Sequence, residues 1–277
     1  MPVATLIQDL HYVFQQPHIQ PPQMVSTSDL GVIEKLLDTL DPMETLVLWD
    51  VDQTLHSPND AILKPCNEKL FDKLLGGKKV YTDETGKIHY IFREILIHAP
   101  HSLVDPKSVD LIKKLQERNM PTIAFTLAPA GKVGEVESFI DWRVNELASF
   151  GFDFSPSFPG LSFELPKDPD NEYAPLFHSG VLVTSLHDKG PVLRHFFQAL
   201  EWRPKRLVII DDQPKNVQSI VEEFGFEMEV YGFHYTAASL KPSSLNPELG
   251  QFQVDHFKKT GEWLSDAEAQ REMQKRF

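Results

Sequence analysis

Cysteine is nearly missing from this chain: Cys66 is the one thiol in 277 residues. That excludes an internal disulfide framework and a multi-cysteine metal knuckle. Basic residues are also scarce. Lysine and arginine number 27 against 40 aspartates and glutamates, a formal charge of −13. Without a basic excess to displace counterions from phosphates, nucleic acid is not expected as a partner. Short pairs such as Lys113-Lys114 and Lys258-Lys259 read as solvated faces. No apolar run approaches the roughly 18 residues of a membrane span, so none is expected. Met1 to Leu10 lacks a basic start followed by a sustained apolar stretch; no ordinary secretory signal is expected, and cytoplasmic residence is the default. What remains is an ordinary folding composition. Apolar residues make up 41% and charged residues 24%. A chain of this size buries about three quarters of its unfolded surface, enough for a core without staples. A monomer is the default state.

Helical periods alternate with short apolar strands. Residues 1–42 read as an arm, with Pro17, Pro21 and Pro22, followed by a helix that Ser28 caps and Leu30, Ile33, Leu37 and Leu40 stripe. Thr45 to Trp49 is a continuous apolar run of strand length. Val109, Ile112 and Leu115 mark the next helix, behind Asp105-Pro106. Thr122 to Thr126 is the second strand, and Val133, Val136, Ile140, Val144 and Leu147 give a long amphipathic helix. Pro191 opens another helix, Arg206 to Ile210 is a third strand, and Val217, Ile220, Val221 and Phe224 stripe the helix after it. Phe226 to Val230 is expected as a further strand. The alternation predicts a three-layer, Rossmann-like α/β core with a mostly parallel sheet. The core spans 43–55 and 102–240. Residues 56–101, with a helix near Leu70 to Leu75 and a hairpin around Thr82 to Gly86, read as a cap-like insertion. Residues 152–180 read as a rim insertion and 241–277 as a polar tail, in which Ser265 caps a short helix.

Three strands end in polar residues. The first runs into Asp50-Val51-Asp52-Gln53-Thr54, the second ends in Thr126, and the third runs into Asp211-Asp212-Gln213-Pro214-Lys215-Asn216. Beyond the carboxyl ends of parallel strands, such side chains meet in one crevice. Taken singly, each acidic pair is also an ordinary turn former or helix cap. With Lys189 in Asp188-Lys189-Gly190, the set resembles the four motifs of the haloacid dehalogenase (HAD) superfamily: Asp-x-Asp-x-Thr, a strand-end Ser or Thr, a Lys opening a helix, and an acidic pair. The stretches Arg143 to Phe154 and Val181 to Lys189 further resemble an uncharacterised HAD-like family of intracellular bacteria.

The resemblance implies a phosphomonoester hydrolase acting on a small phosphorylated molecule. Asp50 would be the nucleophile that forms an aspartyl-phosphate, and Asp52 the acid for the leaving alkoxide and later the base for water. Thr126 and Lys189 would hold the phosphoryl oxygens. The four aspartates bring formally −4 and a phosphate dianion −2, against +1 from Lys189, so a cation is required. Oxygen ligands suit Mg²⁺. The resemblance implies the Asp50 side chain, the Asp52 carbonyl and Asp212 as ligands, Asp211 next, and Asn216 behind them; the order of Asp211 and Asp212 stays open. The same first half-reaction serves a phosphotransferase or mutase, and a weakened or inactive domain would act by binding. Two departures stand out. Gln53 occupies a position where many relatives have Gly, and Leu127-Ala128-Pro129 follows Thr126 where several place an Asn or Arg toward substrate. That absence implies either substrate grip from the insertions or a reduced catalytic role.

No two of the eleven histidines have the spacing of a helical zinc pair, so no histidine metal site is expected. His56 and His187 are candidates to line the crevice. Cys66 reads as a buried or half-buried structural thiol. Gly131-Lys132-Val133-Gly134 lacks the spacing of a phosphate loop. Phe150, Phe152, Phe154 and Phe158 read as core, with an aromatic platform for substrate as the alternative.

Overall fold

The apolar runs of strand length assemble into one eight-stranded sheet, and the structure is a mixed α/β fold. This computed structural model describes residues 22–77, 80–82, 88–169, 171–241 and 243–275. Most of the expected N-terminal arm, residues 1–21, lies outside the described residues, as does the tip of the expected hairpin at 83–87. The strands are β1 (Gln23–Thr27), β2 (Thr45–Trp49), β3 (His56–Pro58), β4 (Val80–Thr82), β5 (Ile88–Tyr90), β6 (His101–Leu103), β7 (Thr122–Thr126), β8 (Ser162–Glu164), β9 (Leu176–His178), β10 (Val181–Val183), β11 (Arg206–Asp211) and β12 (Glu229–Tyr235). The helices are α1 (Leu30–Leu37), α2 (Glu68–Leu75), α3 (Ile91–His98), α4 (Lys107–Glu117), α5 (Phe139–Ser149), α6 (Lys189–Leu200), α7 (Pro214–Phe224), α8 (Pro247–Thr260) and α9 (Asp266–Gln274).

The sheet order is β1-β12-β11-β2-β7-β10-β9-β8. From β1 to β10 every neighbouring pair is parallel; β9 and β8 add an antiparallel edge. Both faces are covered. Val47, Trp49, Ala124, Val208 and Ile210 share one core with Ile33 of α1, Leu111 and Leu115 of α4, and Leu147 of α5. Leu46, Leu48, Ile123, Phe125, Leu207 and Ile209 share another with Leu193 and Phe196 of α6 and Ile220 of α7. Burial on both faces explains why these strands read as unbroken apolar runs. Each such side chain contributes about 1.5–3 kcal/mol. The chain leaves β2 toward β7 and β10 on one side, and β11 toward β12 on the other. The order therefore reverses between β2 and β11, which places a crevice at their carboxyl ends.

Several expected boundaries move. Asp29, not Ser28, caps α1 by accepting from Gly31 N at 2.8 Å. Residues 23–27, assigned to the arm, form the edge strand β1. The long helix expected from Val133 begins at Phe139, capped by Ser138. Val133 and Val136 instead bond each other's backbone at 2.9 Å, around Gly134 at φ 56°, a turn that needs a left-handed residue. The last parallel strand is Glu229–Tyr235 rather than Phe226 to Val230, because Phe226 is 90% exposed in the turn leaving α7. Gly232 belongs to that strand; a Cβ there would sit 2.4 Å from Val217 Cγ1, so its bareness lets α7 lie close. Residues 152–180 are not a rim. They supply β8 and β9, and Phe152, Phe154 and Phe158 pack in the core. Cys66 is exposed, not structural.

The largest difference concerns the C-terminal segment, which is not a polar tail. Val254 and Phe257 of α8 and the following Trp263 share a core with Ile62, Leu63, Phe71, Leu75 and Ile95 of the insertion. Trp263 Nε1 donates to Asp60 Oδ2 at 2.8 Å, and Ala61 N to Asp266 Oδ2 at 2.9 Å. The insertion and the C-terminal segment thus form one packed unit. The Ser265 cap of the last helix is present, as a full capping box with Glu268. Trp263→Ala should cost about 3–5 kcal/mol, as large-to-alanine changes in a core do. Urea denaturation checks this; a midpoint equal to that of the parent would contradict the shared core.

Candidate active site

Parallel pairing between β2 and β11 sets Trp49 beside Ile210, so the acidic residues after them meet. Asp50 N donates to the Ile210 carbonyl at 2.9 Å, and Asp50 is 5% exposed. Lys189, the first residue of α6, is completely buried and reaches across to both strand ends. Its Nζ donates to Asp50 Oδ1 at 2.7 Å, Asp211 Oδ2 at 2.5 Å and the Phe125 carbonyl at 2.6 Å. Burial alone would lower the Lys189 pKa, but Asp211 and Asp50 outweigh it and hold it above the ordinary value. Residues remote in sequence are therefore in direct contact.

Asp50, Asp211 and Asp212 each present an oxygen within 4.8 Å of the others. Burial, then the Asp211 charge, pushes Asp50 up to about 7 despite Lys189. Burial, then Asp50 and Asp211, likewise raises Asp212. The two acidic neighbours differ in what their oxygens meet. Those of Asp211 are occupied by Lys189, Gln213 N and Asn216 Nδ2, which donates at 3.0 and 3.2 Å. The Asp212 carboxylate bonds only the adjacent Gln213 side chain among the described residues and faces the cleft. Thr126 also lines the cleft, and its buried Oγ1 has no partner. Gln53 stands at φ 68°, a left-handed conformation that costs a side chain about 1–2 kcal/mol and explains why glycine suits this position.

Asp52 has company that sequence reasoning missed. Arg143 Nη2 donates to its two oxygens at 3.0 and 3.1 Å, and Arg93 Nη1 donates to Oδ2. Burial would raise Asp52, yet Arg143 and then Arg93 hold it well below the usual carboxylate range. Arg143 comes from α5 and is 1% exposed; it also bonds Glu146, and His56 Nε2 at 3.1 Å. A signal for it existed. Arg143 lies three residues after Ile140 and four before Leu147, on the buried stripe, where a lone charge demands a partner. Arg93 comes from α3 of the insertion, and no pattern marks it.

Together these groups line a cleft of about 310 Å³. Its floor is Asp50, Asp52, Thr126, Asp212 and Asn216; the insertion contributes Leu63, Lys64, Phe71, Phe92 and Arg93, among others. His187 does not line it and bonds Asn171 instead, at 2.9 Å. His56 is buried behind it. With His101 and Glu146 it makes a cluster within metal-binding reach, which the histidine spacing did not suggest. The Arg143 guanidinium, bonded to both His56 and Glu146, already supplies the positive charge there.

The family described as "Protein of unknown function (DUF2608)" matches residues 29–270, a span that holds the whole cleft, α8 and the first turn of α9. The chain belongs to this family. An uncharacterized protein of Rickettsia prowazekii (strain Madrid E) is 22% identical over 250 residues, covering 89% of each chain. One from Rickettsia bellii (strain RML369-C) is 22% identical over 214 residues, 74% of this chain and 73% of the relative. A Chlamydia pneumoniae protein named a putative outer membrane protein is 26% identical over 152 residues, 54% of this chain and 52% of the relative. No solved structure matches the chain. Among the described residues no helix is long and apolar enough to cross a membrane.

Proposed function

We propose that this family member is a Mg²⁺-dependent phosphomonoester hydrolase with a Rossmann-like core of the HAD type, acting on a small phosphorylated molecule. The observation that carries the reading is the Asp50, Asp211 and Asp212 cluster at the sheet's reversal point, in which one buried lysine joins Asp50 to Asp211 while Asp50 and Asp212 line the cleft. Three carboxylates this close, with one ammonium between them, fit a divalent cation; oxygen donors of this kind suit Mg²⁺. Asp50, the Asp52 carbonyl and Asp212 would hold it, with Asp211 fixed behind by Lys189 and Asn216. When bound, the ion offsets the negative charge on carboxylates and phosphoryl oxygens.

The remaining work falls to the chain's own side chains. Asp50 attacks phosphorus, the bond to the leaving oxygen breaks, and an aspartyl-phosphate forms. Lys189 fixes the Asp50 carboxylate so that one oxygen is presented to the cleft. The Thr126 hydroxyl, without a protein partner, donates to a phosphoryl oxygen. Asp52 is ionised between Arg143 and Arg93. It takes a proton from the monoanionic form of the arriving ester, passes it to the leaving oxygen and, ionised again, takes one from the water that opens the acyl phosphate. The insertion covers the cleft and limits water.

The test is phosphate release from a panel of nucleotides, sugar phosphates and phosphoamino acids. Release should stop in excess chelator and return with Mg²⁺, with Ca²⁺ a poor substitute because of its larger radius and looser geometry. Asp212→Asn should weaken Mg²⁺ binding without loss of metal-free stability, because it removes one of several repelling carboxylates. Full activity in excess chelator would reject the metal requirement.

A further inference from the structure

An ammonium has three N–H donors, and Lys189 spends all three on Asp50, Asp211 and the Phe125 carbonyl. It cannot reach a phosphoryl oxygen without giving up a partner. A phosphate dianion arriving among Asp50, Asp52 and Asp212 therefore needs another positive donor from the protein. The segment after Thr126, Leu127-Ala128-Pro129, has no side-chain donor to offer. Arg93 stands at that place. Its Nη1 donates to Asp52 Oδ2 and its Nη2 to the Leu127 carbonyl, and its side chain is 14% exposed on the cleft wall. Lys64 and Lys215 also line the cleft, but among the described residues neither bonds any of the four aspartates.

Asp52 keeps a guanidinium partner when Arg93 leaves. Arg143 donates to both its oxygens and is buried with it, so one guanidinium is fixed and the other is replaceable. Arg93 has five N–H groups in a planar fork, of which two are engaged here. That fork matches paired phosphoryl oxygens better than an ammonium does.

We infer that Arg93 is the residue by which the insertion grips the phosphoryl group of the substrate, exchanging Asp52 for phosphoryl oxygens as a phosphate monoester binds. The inference rests on the phosphomonoester reading of the cleft. The exchange draws α3 onto the bound phosphate and frees one acceptor position on Asp52 Oδ2, which Arg143 still holds, for the leaving-group oxygen. It also answers the missing polar residue after Thr126: the donor comes from the insertion instead.

The test uses the full chain with Mg²⁺, as parent, Arg93→Ala and Arg93→Lys. Calorimetry reads binding of inorganic phosphate, and steady-state kinetics read phosphate release from a monoester. Arg93→Ala should keep the parent's thermal midpoint within a few degrees, because Arg143 still holds Asp52. It should weaken phosphate binding and raise KM by about 10–100-fold, the worth of hydrogen bonds to a charged group, with a smaller change in kcat. Added guanidinium ion should restore part of the loss, and Arg93→Lys should fall between the two. A lower midpoint with unchanged phosphate affinity and no guanidinium response would mark a purely structural ion pair and overturn the inference. A parent that binds phosphate through Arg93 yet hydrolyses no ester would sink the hydrolase reading while leaving the anion site standing. A parent that binds no phosphate at millimolar concentration would overturn the inference whatever the hydrolysis shows.

Discussion

Asp50→Asn should abolish phosphate release, a loss of at least about 10⁴-fold, as removal of an attacking group does. The amide keeps the shape of the carboxylate and still offers Lys189 an oxygen, so the site should stay assembled. It has no anionic oxygen to attack phosphorus. One carboxylate fewer beside Asp211 and Asp212 also relieves repulsion, and the metal-free variant should be no less stable than the parent. Asp52→Asn separates the second role. Its nucleophile is intact, so loss should depend on the leaving group: severe for an alkyl phosphate, milder for a nitrophenyl phosphate that leaves without a proton. General acid–base help is worth about 10²–10⁴-fold, and that sets the gap between the two esters. Equal losses on both esters would remove Asp52 from proton transfer.

Among the residues around the cleft, the largest effect on stability should come from Arg143→Ala. The guanidinium is buried beneath the cleft with Asp52, Glu146 and His56, and it stacks near Phe139 and Trp142, each centroid 5.2 Å away. Removing one partner of a buried ion pair leaves the other charge without compensation, at about 3–5 kcal/mol. Asp52 would retain Arg93, but Glu146 would lose its guanidinium. The loss should depend on pH. Burial opposes ionisation of Glu146, but Arg143 and then His56 hold its pKa below the ordinary 4.5. A depressed carboxylate pKa stabilises the folded chain above the ordinary value and ceases to do so as pH falls through the depressed one. Parent and variant should therefore differ fully near neutral pH, with the difference starting to shrink below about 4.5 and closing only as pH falls through the depressed value. Urea titrations at pH 7 and at a series of pH values below 4.5 check both points, and equal midpoints at pH 7 would contradict the burial argument.

The core of the fold was legible because β2, β7 and β11 are covered on both faces, which leaves an unmistakable apolar run with polar residues at its end. Asp50, Asp52, Thr126, Asp211 and Asp212 could be singled out for that reason. Lys189 carries no such local mark and was named through resemblance. The C-terminal helices were misread for a physical reason. On the buried face of α8, Gly250 and Gln253 stand among Leu249, Val254 and Phe257, and Gln253 Nε2 donates to the Leu264 carbonyl and Asp266 at 3.0 Å each. A buried glutamine with such partners looks like a surface residue in sequence. Its apolar neighbours pack on an insertion well over a hundred residues away, which no local pattern can report. Arg93 was hidden in the same way: its partners, Asp52 and the Leu127 carbonyl, lie 41 and 34 residues along the chain. Residues 152–180 illustrate the opposite error, where proline and phenylalanine without helical period suggested a rim and instead mark a short antiparallel edge.

The most direct test of the central claim is to look for the covalent intermediate. The parent is mixed with Mg²⁺ and a phosphomonoester that it turns over, quenched in acid within milliseconds, and digested for peptide mass spectrometry. The account predicts a phosphate that is labile to hydroxylamine, carried by the peptide containing Asp50 and absent from Asp50→Asn. Phosphate release by the parent with no such adduct, and undiminished turnover in Asp50→Asn, would contradict it.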